Sequence, residues 1–163
     1  MVDKSKNYEL SRWSLADLFP PGDFEKISAA IKELEDKVAK FEGHRQALTD
    51  DISFDTFISI IKELEEITNL MQRIGGYAEL WFAEDTQNQA AQTLVARVEQ
   101  LSAELSNRVL FFNLWWKALG ESTAKSLLEH SGDYRYWLEE MRHFKPYTLS
   151  EAEEKIINIK DVT

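Results

Sequence analysis

The stretch SFDTFISIIKELEEITNLMQRIGGYAELW, residues 53–81, decides the fold class. Its apolar residues recur at steps of three and four, which predicts one side of an α-helix of about eight turns, or roughly 43 Å. The stripe consists of Phe54, Phe57, Ile61, Leu64, Met71, Ile74, Ala78 and Trp81. Because each glycine costs about 1 kcal/mol in a helix interior, Gly75-Gly76 predicts an interruption, either a bend or a close approach of another helix.

The segments on both sides of this helix carry the same period. The preceding stripe ends at Gly43 and consists of Phe24, Ile27, Ile31, Leu34, Val38 and Phe41. After a polar turn at 83–87, with Asp85 or Thr86 as the predicted cap, a third stripe runs to near Gly120. Its members are Ala91, Leu94, Val98, Leu101, Leu105, Val109 and Phe112. The short turn predicts that the second and third helices are antiparallel.

Shorter helical segments follow the third stripe. We predict helices at 122–129 and 134–144, separated by the turn residues 131–133 and closed by Pro146. A last helix begins within PYTLSEAEEKIINIKDVT (146–163), where Thr148/Glu151 and Ser150/Glu153 both fit a capping box. No strand pattern is present. The sequence therefore predicts an all-α fold, an antiparallel bundle of three long amphipathic helices plus shorter C-terminal helices, with a coiled coil as the minor alternative.

The length of the chain predicts a single helical domain over residues 1–163. Residues 1–22 form an extended N-terminal segment that ends at Pro20-Pro21-Gly22, and residues 23–163 form the bundle. The apolar anchors of the N-terminal segment are Trp13, Leu15, Leu18 and Phe19.

Composition and charge exclude several classes of function. The net charge of −10 would repel phosphate backbones and anionic lipid surfaces, so neither nucleic acid nor a membrane is an expected partner. The absence of Cys excludes disulfides and thiolate chemistry. No signal-peptide core and no long apolar span occur, so we expect a soluble, cytoplasmic protein.

Candidate chemistry is sparse. The histidines are His44, His130 and His143, and none belongs to a His-Glu-x-x-His zinc motif. Glu140 and His143 form one Glu-x-x-His unit, whereas di-iron bundles supply two together with further carboxylates, so surface structure is the favoured interpretation. No nucleophile elbow or phosphate loop is present. We predict no catalytic, cofactor-binding or metal-ligating residue in this chain.

The segment VLFFNLWW, residues 109–116, is apolar nearly all round. One broad helical face carries Phe111, Phe112, Trp115, Trp116 and Leu119, while Leu110 and Leu114 fall on the opposite side. The side left over by a three-helix bundle must meet the shorter helices, another subunit or a further domain. Burial by the shorter helices is the favoured interpretation.

Four ordered pieces of the sequence together resemble a known family. They are WSLADLFP (13–20), RIGGYAELWFAEDTQN (73–88), LFFNLWW (110–116) and PYTLSEAEEKIINIKDVT (146–163). From about Tyr8 to Thr163, the chain resembles the N-terminal region of oligoendopeptidase F, a zinc metallopeptidase family related to thimet oligopeptidase.

The resemblance implies an all-helical enzyme in which this lobe walls a deep cleft and restricts substrates to oligopeptides. In such a family, a zinc-bound water attacks the scissile carbonyl with a Glu as general base. The family's zinc motif lies downstream and has no counterpart here. The expected partner is therefore a missing C-terminal catalytic domain, and a chain that ends at Thr163 is expected to be a fragment that is inactive alone.

Two further expectations follow from this interpretation. The surfaces predicted to dock on the missing domain are 109–116 and the Ile-rich end with Ile156, Ile157 and Ile159, and aromatic residues of 109–116 are expected to drive self-association. The alternative function is an autonomous helical-bundle interaction module without enzymatic activity, which would present a groove to a partner helix.

Overall fold

The structure is a computed structural model that describes residues 14–20 and 22–160. Six α-helices account for most of this part of the chain, and no strand occurs in it, which confirms the predicted all-α class. The helices are α1 (Phe24–Glu42), α2 (Phe54–Glu84), α3 (Gln89–Ala118), α4 (Glu121–His130), α5 (Arg135–His143) and α6 (Glu151–Lys160). Short 3₁₀ turns lie at Gly43–Ala47, Gly132–Tyr134 and Lys145–Tyr147.

The first helix forms where its stripe and its caps predict. The Asp23 carboxylate accepts a hydrogen bond from the backbone N–H of Lys26 at 3.0 Å, and α1 ends at Gly43. Five of the six predicted stripe residues are buried, namely Ile27, Ile31, Leu34, Val38 and Phe41. Phe24 is instead half-exposed, with its ring 5.7 Å from the ring of Trp81.

The second helix continues through Gly75-Gly76 without a break, so these glycines neither end nor divide it. A Cβ atom built on either glycine would meet no heavy atom within 4 Å, which also excludes the close helix approach. Neither glycine has a positive φ. The cost of two glycines is therefore outweighed by the buried stripe of a 31-residue helix, which supplies most of the stability of such an element.

The cap of α3 differs from the prediction. Asn88 caps the helix, because its side-chain oxygen accepts from the backbone N–H groups of Ala90 and Ala91 at 3.0 and 3.2 Å. Asp85 lies at the end of α2 and accepts from the N–H of Gln87. The predicted cap at Asp85 or Thr86 is thus wrong by two or three residues, because the turn between α2 and α3 lies at 85–88 and not at 83–87.

Contacts between neighbouring long helices join residues nearer the end of one helix to residues nearer the start of the other. Between α1 and α2, Lys37 binds Glu66 at 2.7 Å and Lys40 binds Glu63 at 3.2 Å. Between α2 and α3, the ring of Phe57 lies 5.2 Å from that of Trp116. This order of contacts is the one that an antiparallel arrangement requires.

The N-terminal segment packs on α2 where it is described. Phe19 is buried, with its ring 5.4 Å from Tyr77, and the guanidinium of Arg73 donates two hydrogen bonds to the carbonyl of Leu18. Residues 16–18 form a turn. The predicted anchor Trp13 lies outside the described residues.

Candidate interaction surface

Half of the residues in the segment 109–116 are buried within the chain. Phe111, Phe112 and Trp116 are buried, as is Leu110 on the opposite side. The indole N–H of Trp116 donates to the carbonyl of Leu138 in α5, which covers this end of α3. Burial by the shorter helices, the favoured interpretation, is supported at Phe112 and Trp116, which contact α5. Val109, Leu114 and Trp115 are only partly buried, and the docking and self-association predicted for 109–116 stay predictions.

The shorter helix α5 is also held against α3 by the partly buried Arg142. The Arg142 guanidinium donates to the carbonyl of Trp116 at 2.6 Å and to that of Leu119 at 3.0 Å. These carbonyls belong to the last turn of α3 and its cap, where carbonyl groups lack helical partners and favour a cation. Together with the fully buried Leu138, Arg142 fixes which side of α5 faces the core.

The opposite side of α5 and the 3₁₀ turn after it present four large aromatic residues to solvent. We call them the aromatic surface: Tyr136, Trp137, Phe144 and Tyr147, with exposed fractions of 73%, 41%, 60% and 78%. Trp137 is partly held, since its ring stacks nearly parallel to that of Phe112 at 6.5 Å. Tyr136 and Trp137 lie on α5, Phe144 is the residue at its C-terminal cap, and Tyr147 ends the following 3₁₀ turn, so the surface consists of four exposed aromatic residues within twelve positions of the chain.

Sequence reasoning missed the aromatic surface. The signal that could have revealed it is the density of aromatic residues between positions 136 and 147, which hold Tyr136, Trp137, Phe144 and Tyr147. Contiguous exposed apolar residues of this kind are typical of contact sites rather than of ordinary protein surface. Among the described residues, large hydrophobic side chains are otherwise strongly exposed mainly in Leu149 and α6, where Ile156, Ile157 and Ile159 are 41–58% exposed.

An open groove of about 770 Å³ lies where the end of α1, the middle of α3 and α6 meet. Its floor includes Ala96 and Ala103, and its walls carry the ion pair between Arg108 and Glu42. The hydrogen bond from Arg108 holds the pKa of the Glu42 carboxyl below its usual range. The residues that line the groove include no Ser, Thr or His, so the lining does not place a hydroxyl nucleophile beside an imidazole base.

The histidines make local contacts at separate places. The Nε2 atom of His44 lies 3.1 Å from a Glu63 carboxylate oxygen, and His130 contacts the carbonyl of Ser126 through Nδ1 at 3.2 Å. His143 lies 3.2 Å from Glu140 on the surface of α5. Over residues 14–20 and 22–160, no three His, Asp or Glu side chains are close enough to hold a metal ion.

The cap of the last helix follows one of the two predicted capping boxes. Glu153 accepts from the backbone N–H and the hydroxyl of Ser150, whose oxygen in turn accepts from the Glu153 N–H at 3.4 Å. The alternative box is wrong, because Thr148 donates to the carbonyl of Phe144 and Glu151 pairs with Lys155 and Arg45. These hydrogen bonds from Lys155 and Arg45 lower the pKa of Glu151.

Comparison with known proteins finds one family model and one curated relative that are similar to this chain. A family model described as oligopeptidase F matches residues 115–163. An oligoendopeptidase F homolog from Borreliella burgdorferi is 23% identical over 159 residues, which is 96% of this chain and 26% of that relative. The resemblance to the N-terminal region of oligoendopeptidase F is confirmed. No solved structure matches this chain significantly.

The oligoendopeptidase F resemblance covers part of the relative and the C-terminal helices of this chain. The chain spans about a quarter of the length of the curated relative that it matches, so it is similar to part of a peptidase. The family match includes α4, α5 and α6 and therefore the whole aromatic surface. Within the described residues, none of the helices combines the length and the apolarity that a membrane-spanning segment needs.

Proposed function

We propose that this chain is the N-terminal helical lobe of a zinc oligopeptidase of the oligoendopeptidase F type, which walls the active-site cleft and restricts substrates to short peptides. The observation that carries the proposal is the position of the aromatic surface inside the segment matched by the family model. An exposed aromatic face there is suited to contact the remainder of a longer polypeptide.

The residues that the structure describes do not fit a zinc site. A catalytic zinc needs three protein ligands, and the described residues bring no such set together. In the proposal, the zinc and the residues that act on the peptide bond belong to a C-terminal catalytic domain. The role of this lobe is to limit access, and the chain is inactive alone.

A peptidase assay tests the inactivity of the chain. Internally quenched oligopeptides, incubated with the purified chain in the presence and absence of added zinc, should show no turnover. Zinc-dependent cleavage that survives further purification would contradict the proposal. The same assay on the product of an open reading frame that continues past codon 163 into a His-Glu-x-x-His segment should show turnover.

The role of the aromatic surface can be tested in the isolated chain and in the longer peptidase. Tyr136→Lys and Tyr147→Lys should change the free energy of unfolding of the isolated chain by less than about 0.5 kcal/mol, because both side chains are largely exposed. In the longer peptidase the same substitutions should lower the melting temperature or the zinc-dependent turnover. Leu80→Lys is the matched control, since Leu80 is exposed but lies outside the family-matched segment. Equal effects of all three variants would contradict the proposed contact.

The alternative function, an autonomous interaction module, makes a different prediction. A natural stop codon directly after codon 163, together with a full-length gene product of this size, would favour the module and exclude the lobe. The Tyr136→Lys variant would then reduce binding of a partner protein, and neither the wild-type chain nor the variant would have peptidase activity.

A further inference from the structure

Helix α6 turns its polar side toward the rest of the chain. Its four least exposed residues are all polar, namely Glu151, Glu154, Lys155 and Asn158. None of its ten residues is buried, and the exposed fractions of Ile156, Ile157 and Ile159 are 58%, 41% and 57%. An ordinary surface helix buries its apolar side, so α6 lacks the hydrophobic gain that usually holds such a helix in place.

A small set of polar contacts joins α6 to its neighbours. The side-chain amide of Asn158 donates to the side-chain oxygen of Asn107 at 2.8 Å, and the Asn107 amide donates to the carbonyl of Lys155 at 3.4 Å. Glu151 pairs with the half-exposed Arg45 at 3.3 Å. Because hydrogen bonds within a protein replace bonds to water, and exposed ion pairs contribute little, these contacts hold α6 only weakly.

Open space lies along the contact between α6 and α3. Glu151 lines a pocket of about 330 Å³, Asn158 lines one of about 360 Å³, and Lys155 and Ile159 line the groove of about 770 Å³. A well-packed protein interior leaves few voids larger than a water molecule. The contact between the two helices is therefore loosely packed as well as polar.

The side of α3 beneath α6 is apolar. Asn107, which bonds to α6, shares its side of α3 with Leu110 and Leu114, three and seven residues further along. Leu110 is buried outside the main core, and Leu114 lines the same pocket as Glu151 of α6. Helix α6 therefore covers Leu110 and adjoins Leu114.

We propose that α6 is a detachable helix, which leaves α3 as one unit while α1 to α5 stay folded, and which thereby uncovers Leu110 and Leu114. Ten residues are too few for a stable isolated helix in water, so α6 loses its helical structure when it leaves. Segments with few buried apolar contacts open most easily, and a partner that binds one of the two states shifts the equilibrium. The inference does not depend on the proposed peptidase role, since it concerns the contact between α6 and α3.

Thiol labelling measures this opening, because the chain contains no Cys and a single introduced thiol is unique. Leu110→Cys places the thiol beneath α6. Leu105→Cys is the matched control, because Leu105 is fully buried in the main core on the opposite side of the same helix. The global unfolding of each variant is measured by far-UV circular dichroism in urea, which also verifies that its helices are kept.

The two thiols should respond differently. At position 105, labelling by an aromatic disulfide reagent should follow the global unfolding of that variant. At position 110, labelling should be at least about tenfold faster than global unfolding allows. Its rate should also rise less steeply with urea, because detachment of α6 exposes less surface than global unfolding does.

Asn107→Ala tests the polar contact directly. It removes both hydrogen bonds to α6, so it should accelerate labelling at position 110 about tenfold beyond any change in global unfolding. Gln100→Ala is the matched control, since Gln100 is an exposed amide on the same helix, and it should leave this rate unchanged. Labelling at position 110 that follows global unfolding, or equal responses to Asn107→Ala and Gln100→Ala, would overturn the proposal.

Discussion

Trp116 donates its indole N–H to the backbone carbonyl of Leu138 at 2.9 Å, and both residues are fully buried. This bond joins the end of α3 to the middle of α5, whose other side carries the aromatic surface. The orientation of that surface therefore depends on a single tryptophan in the core, assisted by the Arg142 guanidinium 5.4 Å from its ring.

Replacing this tryptophan should reduce stability. Trp116→Phe removes the hydrogen bond to Leu138 and leaves space beside the smaller ring, so we expect a loss of about 1–3 kcal/mol in the free energy of unfolding by urea denaturation. Trp137→Phe is the matched control, because Trp137 is partly exposed, and it should cost about 0.5 kcal/mol or less. Equal losses from the two variants would contradict the assigned role of Trp116.

Glycine substitutions in α2 should stabilise the chain. Alanine at Gly75 or Gly76 meets open space and an ordinary helical φ, so each substitution should raise the free energy of unfolding by about 0.5–1 kcal/mol. Gly132→Ala provides the contrast, because Gly132 has a φ of +54° and an alanine there should destabilise the chain. A melting temperature that falls on Gly75→Ala would show that the glycine has a packing role.

The spacing of the apolar residues was sufficient to predict the fold class and the extent of the long helices. Five of the eight predicted stripe residues of α2 are buried, because a period near 3.6 places them on the same side of the helix. They are Phe57, Ile61, Leu64, Ile74 and Ala78. The Gly75-Gly76 pair does not break α2, because local helix propensity is weak compared with tertiary packing. The cap at Asn88 was missed because several polar residues of one turn can each serve as a cap, and only the path of the backbone selects one.

The candidate surfaces could be predicted only in part. Ile156 and Ile159 are exposed as the sequence led us to expect, whereas Phe112 and Trp116 are buried by a helix whose position no local pattern reveals. Apolar character alone does not distinguish a residue that the chain covers from one that a partner covers. The aromatic surface required knowledge of where Leu138 and Arg142 contact α3.

The ion pair between Glu42 and Arg108 should make stability depend on pH. Its hydrogen bond lowers the pKa of Glu42 below the ordinary value of 4.5, so the pair contributes above that pH and its contribution is lost as the pH falls through the folded-state pKa. Because the carboxylate is partly exposed, the contribution should be below about 1 kcal/mol. Urea denaturation of wild type and Glu42→Gln should thus differ at pH 7 and converge near pH 3. In an Arg108→Gln background, the difference should no longer vary with pH.

The two candidate capping boxes provide the last prediction. Ser150→Ala removes the hydroxyl that accepts from the Glu153 N–H and should destabilise α6 by about 0.5–2 kcal/mol. Thr148→Ala, the matched control, removes a hydroxyl that bonds to Phe144 outside the cap and should leave α6 unchanged. Because α6 buries none of its residues, its amide hydrogens should exchange far faster than those of α2, and Ser150→Ala should accelerate exchange in 151–160 alone. Exchange that responds more strongly to Thr148→Ala would show that the helix begins at the other box.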